Sequence, residues 1–393
     1  MRYNGITAFF MIMPVLILLS CRESGREQTD NNSTDEINTL MIYTGSYAGK
    51  DEPGIRLLEY DMSTGEFIIL QEVAGHLNPS FLAIDAGAGF LFAVNETADY
   101  DDNNSGSVTA FSIDKESGKL SFINRRSSLG AHPCHIKLMT DKKHVAVANY
   151  SGGSIAVLPV AKDGSLQEAT GFIQHYGSGP DARRQSAPHA HSVYPHDDGT
   201  WVFTADLGID KVMAYRIDNE GYLTLPPESS PAEMEPGAGP RHLAIHTSGN
   251  WIYVVNELNS TVTRLRFDNI SGELTVMETV STLPVGYNQE NYCADIRIHP
   301  GGKYLYASNR GHNSIAIFEL GQEGEPVILG HEPVRGEWPR NFNIDPSGML
   351  LFVANQNSNN ITVFDIDQKT GLLSFTGTEL EIPRPVCIQF FNR

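Results

Sequence analysis

A hairpin-like segment repeats along this chain, and the repetition limits the folds that the chain can adopt. Residues 240–257 (PRHLAIHTSGNWIYVVNE) contain two runs of β-branched and aromatic residues on either side of a turn that contains Gly. This pattern is typical of a β-hairpin. Similar segments begin at residues 79, 133, 188, 292 and 339. Such regular repetition indicates one repeat array rather than several unrelated domains.

Each hairpin ends in a short polar signature whose central residue is most often Asn. The seven central residues are Gly45, Asn95, Asn149, Asp206, Asn256, Asn309 and Asn355. They are separated by 50, 54, 57, 50, 53 and 46 residues. A period of about fifty residues with four short strands per unit predicts the blade of a β-propeller.

The incomplete repeats at the two ends predict how the ring closes. The first strand, at 40–44, lacks a hairpin partner, and the last strand, at 385–391, lacks a following strand. Together they would complete one blade and remove a free sheet edge. No stretch has a sustained helical period. We therefore predict an all-β, seven-bladed β-propeller over residues 39–393, with its last blade closed by the N- and C-terminal strands.

The charge balance limits the partners of this protein. The chain has 47 acidic and 28 basic residues, which gives a formal net charge of −19. Such a surface repels nucleic acid and anionic lipid, so we expect no nucleic-acid partner. Arg residues that converge on a site would stand out against this background.

The N-terminus has the pattern of an export signal. Arg2 precedes an apolar run from Ile6 to Leu19, and Ser20-Cys21 follows, which resembles the lipobox of bacterial lipoproteins. We expect a signal peptide at 1–20, lipidation of Cys21 and a flexible, polar tether at 21–38. The protein would then be a periplasmic or cell-envelope lipoprotein that contacts a membrane only through this anchor. A simple signal peptide and an uncleaved anchor remain the alternatives.

When the repeats are aligned, two columns, meaning two equivalent positions of the repeat, hold residues of different chemical type from blade to blade. The residue after the opening Pro is His189, Arg241 or Arg340 in three of the repeats. The residue after the signature is Glu257, Arg310 or Gln356 in three of them. Guanidinium groups around a carboxylate suit an anionic substrate or a developing oxyanion. Glu96 shares the column of Glu257, but its own hairpin contains no Arg, so we do not include it.

We predict His189, Arg241, Glu257 and Arg310 as catalytic residues. Asp295, Arg340, Gln356 and His191 form the predicted substrate-binding set. His191 lies in a column that otherwise holds apolar residues, which also fits a packed histidine. For Arg297 we expect a structural ion pair with a neighbouring blade, and for Asp206 the role of a turn-capping acceptor.

The sequence favours no metal or other cofactor. His189 and His191 would share one face of a strand, but no third ligand accompanies them at a fixed spacing. Cys134, Cys293 and Cys387 are odd in number and widely spaced, which argues against both a disulfide framework and a zinc site. We expect them to be buried, small apolar residues.

The residues at these positions resemble those of the seven-bladed propeller lactonases, which include the propeller type of 6-phosphogluconolactonase and carboxy-muconate lactonising enzyme. The resemblance covers about residues 40–391 and is most specific at 188–192 (PHAHS), 239–242 (GPRH), 255–260 (VNELNS), 294–296 (ADI) and 308–311 (SNRG). It implies a catalytic group of one His, two Arg and one Glu, which falls on His189, Arg241, Glu257 and Arg310.

The resemblance implies metal-independent opening of a sugar δ-lactone such as 6-phosphogluconolactone or a related lactone, with an anionic or sugar lactone as the substrate. Glu257 or His189 would activate water, and Arg241 and Arg310 would bind the anion and stabilise the oxyanion. The sequence leaves the choice of base open. Two alternatives are a lipid-anchored scaffold without catalysis and a muconate-type lactonising isomerase. The expected export signal is unusual for an enzyme of cytosolic sugar-phosphate metabolism.

Overall fold

A computed structural model of the protein describes residues 39–227 and 230–391. The predicted signal peptide at 1–20, the tether at 21–38 and the lipidation site Cys21 lie outside these residues. Among the described residues, no helix is both long enough and apolar enough to span a membrane.

The described strands form seven antiparallel sheets, one for each predicted blade. Blade 1 contains β1 (Thr39–Ser46), β2 (Ile55–Asp61), β3 (Phe67–Val73) and the last strand, β29 (Pro385–Phe391). Blade 2 contains β4 (Leu82–Asp85), β5 (Phe90–Asn95), β6 (Ser107–Ile113) and β7 (Leu120–Ser127). Blade 3 contains β8 (Pro133–Leu138), β9 (His144–Asn149), β10 (Ser154–Pro159) and β11 (Gly171–Gln174).

Blade 4 has an extra short strand. It contains β12 (Ala190–Pro195), β13 (Trp201–Asp206), β14 (Lys211–Ile217), β15 (Leu223–Thr224) and β16 (Ala232–Glu233).

Blade 5 contains β17 (Pro240–Ile245), β18 (Trp251–Asn256), β19 (Thr261–Phe267) and β20 (Leu274–Ser281). Blade 6 contains β21 (Tyr292–Ile298), β22 (Tyr304–Arg310), β23 (Ser314–Leu320) and β24 (Pro326–Pro333). Blade 7 contains β25 (Pro339–Ile344), β26 (Leu350–Asn355), β27 (Asn360–Ile366) and β28 (Leu373–Glu381).

The ring closes as predicted, through one blade built from both ends of the described chain. Strand β29 pairs antiparallel with β1, and Gly45 lies opposite Cys387. The innermost strands touch in the cyclic order β29, β4, β8, β12, β17, β21 and β25, and β25 returns to β29. The all-β, seven-bladed prediction is therefore confirmed. Two short 3-10 turns, Tyr100–Asp102 and Leu207–Ile209, lie between strands of the described chain.

Apolar side chains between neighbouring blades form the core. Tyr253 and Val255 of blade 5, for example, pack with Ile296, Leu305 and Phe318 of blade 6, and all five are buried. The second strand of a blade is covered on both faces, which explains its continuous apolar runs. The fourth strand is mostly exposed or half-buried, as β7 and β20 show.

Three of the Asn residues of the polar signature tie their blade to a neighbouring loop. The Asn95 amide donates to Leu77 O at 2.9 Å, Asn149 to Ser128 O at 2.9 Å, and Asn309 to Thr282 O at 2.9 Å. These Asn side chains are buried, so each bond satisfies a side-chain amide that is shielded from water. The signature is thus structural, and the position after it is free to carry chemistry.

Candidate active site

An open cavity of about 480 Å³ lies at the end of the channel where the second strands of the blades end. Its charged lining consists of two carboxylates and three guanidinium groups, and four aromatic residues contribute to its walls. The lining residues are Glu96, Glu257, Arg184, Arg310, Arg340, Tyr47, Tyr150, Tyr292, Trp338, Cys134, His191 and Gln356. An adjoining void of about 10 Å³, roughly the size of one water, is lined in part by Arg241.

A β-bulge in the innermost strand aims side chains at this region in several blades. In blade 5 the register passes from Pro240 opposite Asn256 to His242 opposite Val255, so Arg241 is the extra residue. Cys134 and Arg340 are the extra residues of blades 3 and 7. A bulge re-aims a side chain locally, which explains how one column of the repeat reaches the channel.

The bulge corrects the sequence alignment of blade 4. Ala190 lies opposite Asp206 and Ser192 opposite Ala205, so His191 is the extra residue and occupies the position of Arg241. His189 comes two residues earlier, because the repeat in this blade does not begin at Pro188. His191 accordingly lines the cavity, whereas His189 is stacked on Tyr150, one of the lining residues.

Glu257 binds three guanidinium groups. Its Oε1 lies 2.6 Å from Arg184 Nη2, and its Oε2 lies 2.9 Å from both Arg241 Nε and Arg310 Nη2. The Glu257 side chain is 5 % exposed. Burial alone would raise its pKa, but Arg310 and Arg241 outweigh burial and hold the pKa of Glu257 well below its usual range. Glu257 is therefore a carboxylate at neutral pH, and a weak base.

The arginines of this cluster differ in their surroundings. Arg241 is buried, and its Nη1 donates to Ala294 O and to His242 Nε2. His242 Nδ1 in turn donates to Asp295 Oδ1 at 2.8 Å. Burial lowers the pKa of Arg310 to about 10, so this guanidinium is still a cation at pH 7. Arg310 Nη1 has no protein partner within the described part of the chain and remains available to a ligand.

Arg184 is a site residue that the repeat columns do not reveal. It lies between blades 3 and 4, outside every strand. Besides Glu257, its Nη2 contacts the Tyr150 hydroxyl at 3.4 Å, and its guanidinium lies over the Tyr292 ring. The sequence feature that could have indicated Arg184 is the pair Arg183-Arg184 just before the PHAHS motif, since paired basic residues are uncommon in so acidic a chain.

A second polar group lies around Glu96. The Tyr47 hydroxyl is 3.1 and 3.0 Å from the two Glu96 oxygens, and Ser80 Oγ is 2.5 Å from one of them. Arg340 Nη2 donates to the Tyr47 oxygen at 2.7 Å. Glu96 thus lies in the cavity, and an arginine from another blade lies nearby. The sequence of the Glu96 hairpin alone could not indicate this arginine, because it belongs to a different repeat.

Each arginine that lines the cavity is held over an aromatic ring. Arg310 lies 5.3 Å from the ring centre of Trp338, Arg340 5.2 Å from that of Tyr47, and Arg184 5.6 Å from that of Tyr292. Such stacking fixes the guanidinium planes before a ligand arrives. The cavity therefore presents preorganised cationic donors between flat apolar faces.

The two histidines of the PHAHS motif differ in environment. His189 stacks on Tyr150, and its Nδ1 donates to Tyr150 O at 3.0 Å, which leaves Nε2 as its acceptor. Burial and then Arg241 lower the pKa of His191 well below its ordinary value, so this ring is neutral. Direct contacts link Glu257 with Arg241 and Arg310, but not with His189. The catalytic role assigned to His189 stays a prediction.

The remaining predicted residues lie in different places. Arg340 and Gln356 line the cavity, and Gln356 Oε1 is a buried acceptor with no partner among the described residues. Asp295 is buried away from the cavity, and its oxygens contact His242, Asn341 and Arg297. This geometry favours a structural role for Asp295, which holds His242 and through it Arg241.

The structural predictions for Asp206 and for the three cysteines are confirmed, whereas the partner predicted for Arg297 is wrong. Arg297 forms its ion pair with Asp295 of its own strand at 3.1 Å, and it reaches the neighbouring blade through a hydrogen bond from its Nε to Phe342 O at 3.3 Å. Asp206 caps the turn after it, since its Oδ1 accepts from Gly208 N at 2.9 Å. The cysteines 134, 293 and 387 are free and buried, and burial raises their thiol pKa values.

No group of three or more His, Cys, Asp or Glu side chains is placed to hold a metal ion within residues 39–227 and 230–391. His189 and His191 do not converge, because His191 is aimed inward by the bulge and His189 is stacked on Tyr150.

Comparison with known proteins agrees with this architecture. A family model described as "Lactonase, 7-bladed beta-propeller" matches residues 41–390. The 6-phosphogluconolactonase of Bacillus subtilis is 34% identical over 352 residues, which cover 89% of this chain and 98% of that protein.

Two solved structures are similar along most of the chain. A putative 6-phosphogluconolactonase from Bacteroides fragilis has a TM-score of 0.83 and 36% identity, and the match covers 92% of this chain and 100% of that one. The periplasmic gluconolactonase of Pseudomonas aeruginosa has a TM-score of 0.84 and 31% identity, with 90% and 99% covered. These matches confirm the resemblance noted in the sequence: the chain belongs to the lactonase family of seven-bladed β-propellers.

Proposed function

We propose that this protein is a hydrolase that opens a sugar δ-lactone in the cavity at the channel mouth. The observation that carries the proposal is the set of three stacked arginines, Arg184, Arg310 and Arg340, around one open cavity with aromatic walls. The names of the relatives, gluconolactonase and 6-phosphogluconolactonase, support lactone opening as the reaction.

Each part of the cavity matches a part of such a substrate. Tyr150, Tyr292 and Trp338 offer flat faces for the C–H groups of a sugar ring. The unpartnered Gln356 Oε1 can accept a bond from a sugar hydroxyl. The arginines can bind an anionic substituent, and they can donate to the carbonyl oxygen as it becomes an oxyanion.

Arg310 is the best-placed donor to the oxyanion. Its Nε and Nη2 are fixed by Tyr292 O, Cys293 O and Glu257, so its remaining donors have a defined direction. A preorganised donor needs little rearrangement when charge develops on the substrate. Removal of one such donor typically lowers kcat by about 100- to 1,000-fold.

The geometry gives Glu257 a positioning role. Protonation of its carboxyl would leave three guanidinium groups without their counter-ion, so the group is poorly suited to accept a proton from water. Its contacts instead keep Arg184, Arg241 and Arg310 in one arrangement. The sequence left both Glu257 and His189 as candidates for the general base, and the surroundings of Glu257 disfavour it in this role.

The substrate can be either a neutral sugar lactone or its 6-phosphate. Three lining arginines against two lining carboxylates give the cavity an excess of positive charge in an otherwise acidic protein. This excess supports an anionic lactone. The expected export supports a lactone without phosphate, in agreement with the name of the periplasmic gluconolactonase among the similar structures.

A pH-stat assay tests the proposal. Acid release from glucono-δ-lactone and from its 6-phosphate is followed with the purified chain from residue 22 onward, with and without EDTA. We expect saturable hydrolysis of at least one lactone well above the spontaneous rate, and no effect of EDTA. Equal rates with and without protein for both substrates would overturn the proposal, and inhibition by EDTA would overturn metal independence.

We also propose that the protein is an exported lipoprotein anchored through Cys21. The support is the apolar run before Leu18-Leu19-Ser20-Cys21 and the polar segment after it. Metabolic labelling with a fatty acid in a bacterial host should mark the wild type and leave Cys21→Ala unlabelled. Equal labelling of both proteins would contradict lipidation at this residue.

A further inference from the structure

We propose that Glu96 is the general base that activates water in this cavity. The inference rests on the proposed lactone hydrolysis and adds a residue that the family resemblance did not assign. Glu96 lies after the signature Asn95 as Glu257 lies after Asn256, but in blade 2 rather than blade 5. In a ring of seven blades these positions are as far apart as the ring allows, so the two carboxylates line different sides of the cavity.

The two carboxylates have different partners. Glu257 contacts three guanidinium groups, whereas Glu96 forms no ion pair with any described residue and accepts only from the hydroxyl groups of Tyr47 and Ser80. Glu96 is also less buried than Glu257. Protonation of Glu96 would weaken the hydrogen bonds that it accepts from two hydroxyl groups, and it would leave no buried cation unpaired. Of the two acids, Glu96 can gain and lose a proton at the lower cost.

The imidazoles near the cavity are less suitable. Protonated His191 would be a cation close to Arg241, in a pocket that already has an excess of positive charge. His189 does not line the cavity and is stacked on Tyr150. A carboxylate becomes neutral when it accepts a proton, whereas an imidazole becomes a cation. Protonation of Glu96 therefore adds no further cation to a cavity whose arginines must bind the oxyanion.

Tyr47 and Ser80 position Glu96 for this role. Arg340 donates to the Tyr47 oxygen, and the Tyr47 hydroxyl donates to Glu96. Ser80 Oγ fixes Glu96 Oε2 at 2.5 Å, which leaves a lone pair on Oε1 for a water in the cavity. This chain of contacts joins the base to Arg340, a predicted anion-binding residue, so substrate binding and proton transfer share one set of hydrogen bonds.

The reaction balances with water as the only co-substrate. Glu96 takes one proton from water, and the oxygen of that water forms a bond to the lactone carbonyl carbon. The carbonyl becomes an oxyanion that the cavity arginines stabilise. When the oxyanion collapses, the bond from the carbonyl carbon to the ring oxygen breaks, and the ring oxygen takes the proton from Glu96. The product is the open hydroxy acid, and the Glu96 carboxylate is regenerated.

The test compares Glu96→Gln and Glu96→Ala with Glu116→Gln, which removes a carboxylate from an exposed turn of the same blade. We expect kcat of Glu96→Gln to fall by about 100- to 1,000-fold, with KM within about threefold of the wild type. The acid limb of the wild-type pH profile should disappear in Glu96→Gln. Formate or acetate should restore activity to Glu96→Ala in proportion to its concentration, and Glu116→Gln should match the wild type.

Two results would overturn the inference. One is a Glu96→Gln variant with wild-type kcat. The other is a fall in activity with an unchanged acid limb and no rescue of Glu96→Ala by formate, which would mark Glu96 as a structural residue. A wild type that opens no lactone would instead overturn the proposed function together with the inference, so the two failures are distinguishable.

Discussion

At the scale of single residues, the site depends on how one buried carboxylate organises several cations. Glu257 holds Arg184, Arg241 and Arg310, which come from different parts of the chain. A charge in this position is costly to bury and is tolerated because it is fully paired. Removing it would leave three guanidinium groups to repel one another in a partly dry pocket.

We predict that Glu257→Gln lowers the free energy of unfolding by about 3 kcal/mol at pH 7, since breaking a buried ion pair from one side leaves an uncompensated charge. Lactone hydrolysis should fall as well, because the arginines lose their arrangement. Urea denaturation measures the change. Glu96→Gln is the control, because its amide oxygen can still accept from Tyr47 and Ser80. Equal stability of Glu257→Gln and the wild type would contradict the account.

The stabilisation by Glu257 should depend on pH in a defined direction. The pKa of Glu257 is lower in the folded state than the ordinary value of about 4.3 in the unfolded chain. Its contribution is therefore complete above about pH 5 and is lost as the pH falls below about 4.3 toward the folded pKa. The stability gap between wild type and Glu257→Gln should be constant from pH 7 to 5 and should narrow by pH 3. An unchanged gap at pH 3 would argue against this coupling.

At the level of residues, the sequence predicted which side chains lie together where the repeat register is regular. Arg241 occupies the position after the opening Pro, Glu257 and Arg310 occupy the position after the signature, and the structure brings both arginines into contact with Glu257. Blade 4 departs from the Pro-initiated pattern, and the bulge there moves the inward position from His189 to His191. Arg184 lies outside the repeat altogether, so no comparison between blades could reveal it.

At the scale of elements, bulges and special turns set the direction of the site side chains. Gly311 follows Arg310 directly and has φ of +126°, a conformation that favours Gly. A Cβ at this position would lie 2.3 Å from Glu290 O, which belongs to the loop before β21. The absence of a side chain there allows the loop to lie close to the end of β22 and keeps Arg310 at the cavity.

Gly311→Ala should lower the free energy of unfolding by about 3 kcal/mol and should raise KM, because both the backbone strain and the contact with Glu290 O displace Arg310. Gly286→Ala is the matched control, since Gly286 also has a positive φ of +88°, but a Cβ added there would meet no atom within 4 Å. Gly286→Ala should lower the free energy of unfolding by about 1 kcal/mol and leave KM unchanged. Chemical denaturation and steady-state kinetics of both variants make the comparison, and similar KM values would refute the proposed role of Gly311.

At the scale of the whole molecule, closure of the ring is the condition for the site. The cavity takes residues from most blades, and the innermost strands touch in one unbroken cycle. The repeat spacing and the half-repeats at 40–44 and 385–391 were enough to predict this closure. The cavity shape and its aromatic stacking were not predictable, because they depend on loops whose lengths differ between blades.

Deletion of residues 385–393 should abolish cooperative unfolding, because β29 contributes the buried Val386, Cys387 and Ile388 and shields the edge of β1. Circular dichroism during heating and size-exclusion chromatography would detect the loss as a broad transition and as aggregation. Addition of a peptide of sequence 383–393 should partly restore the sharp transition. A truncated chain that melts like the wild type would contradict closure by this strand.

The most direct test of the central claim is the rate of sugar-lactone opening by the wild type and by Arg310→Lys, which keeps the charge but loses the planar fork of donors. The account predicts saturable hydrolysis by the wild type and a kcat/KM about 100-fold lower for the variant, with both proteins equally folded. A wild-type rate equal to spontaneous hydrolysis, or a variant as active as the wild type, would contradict it.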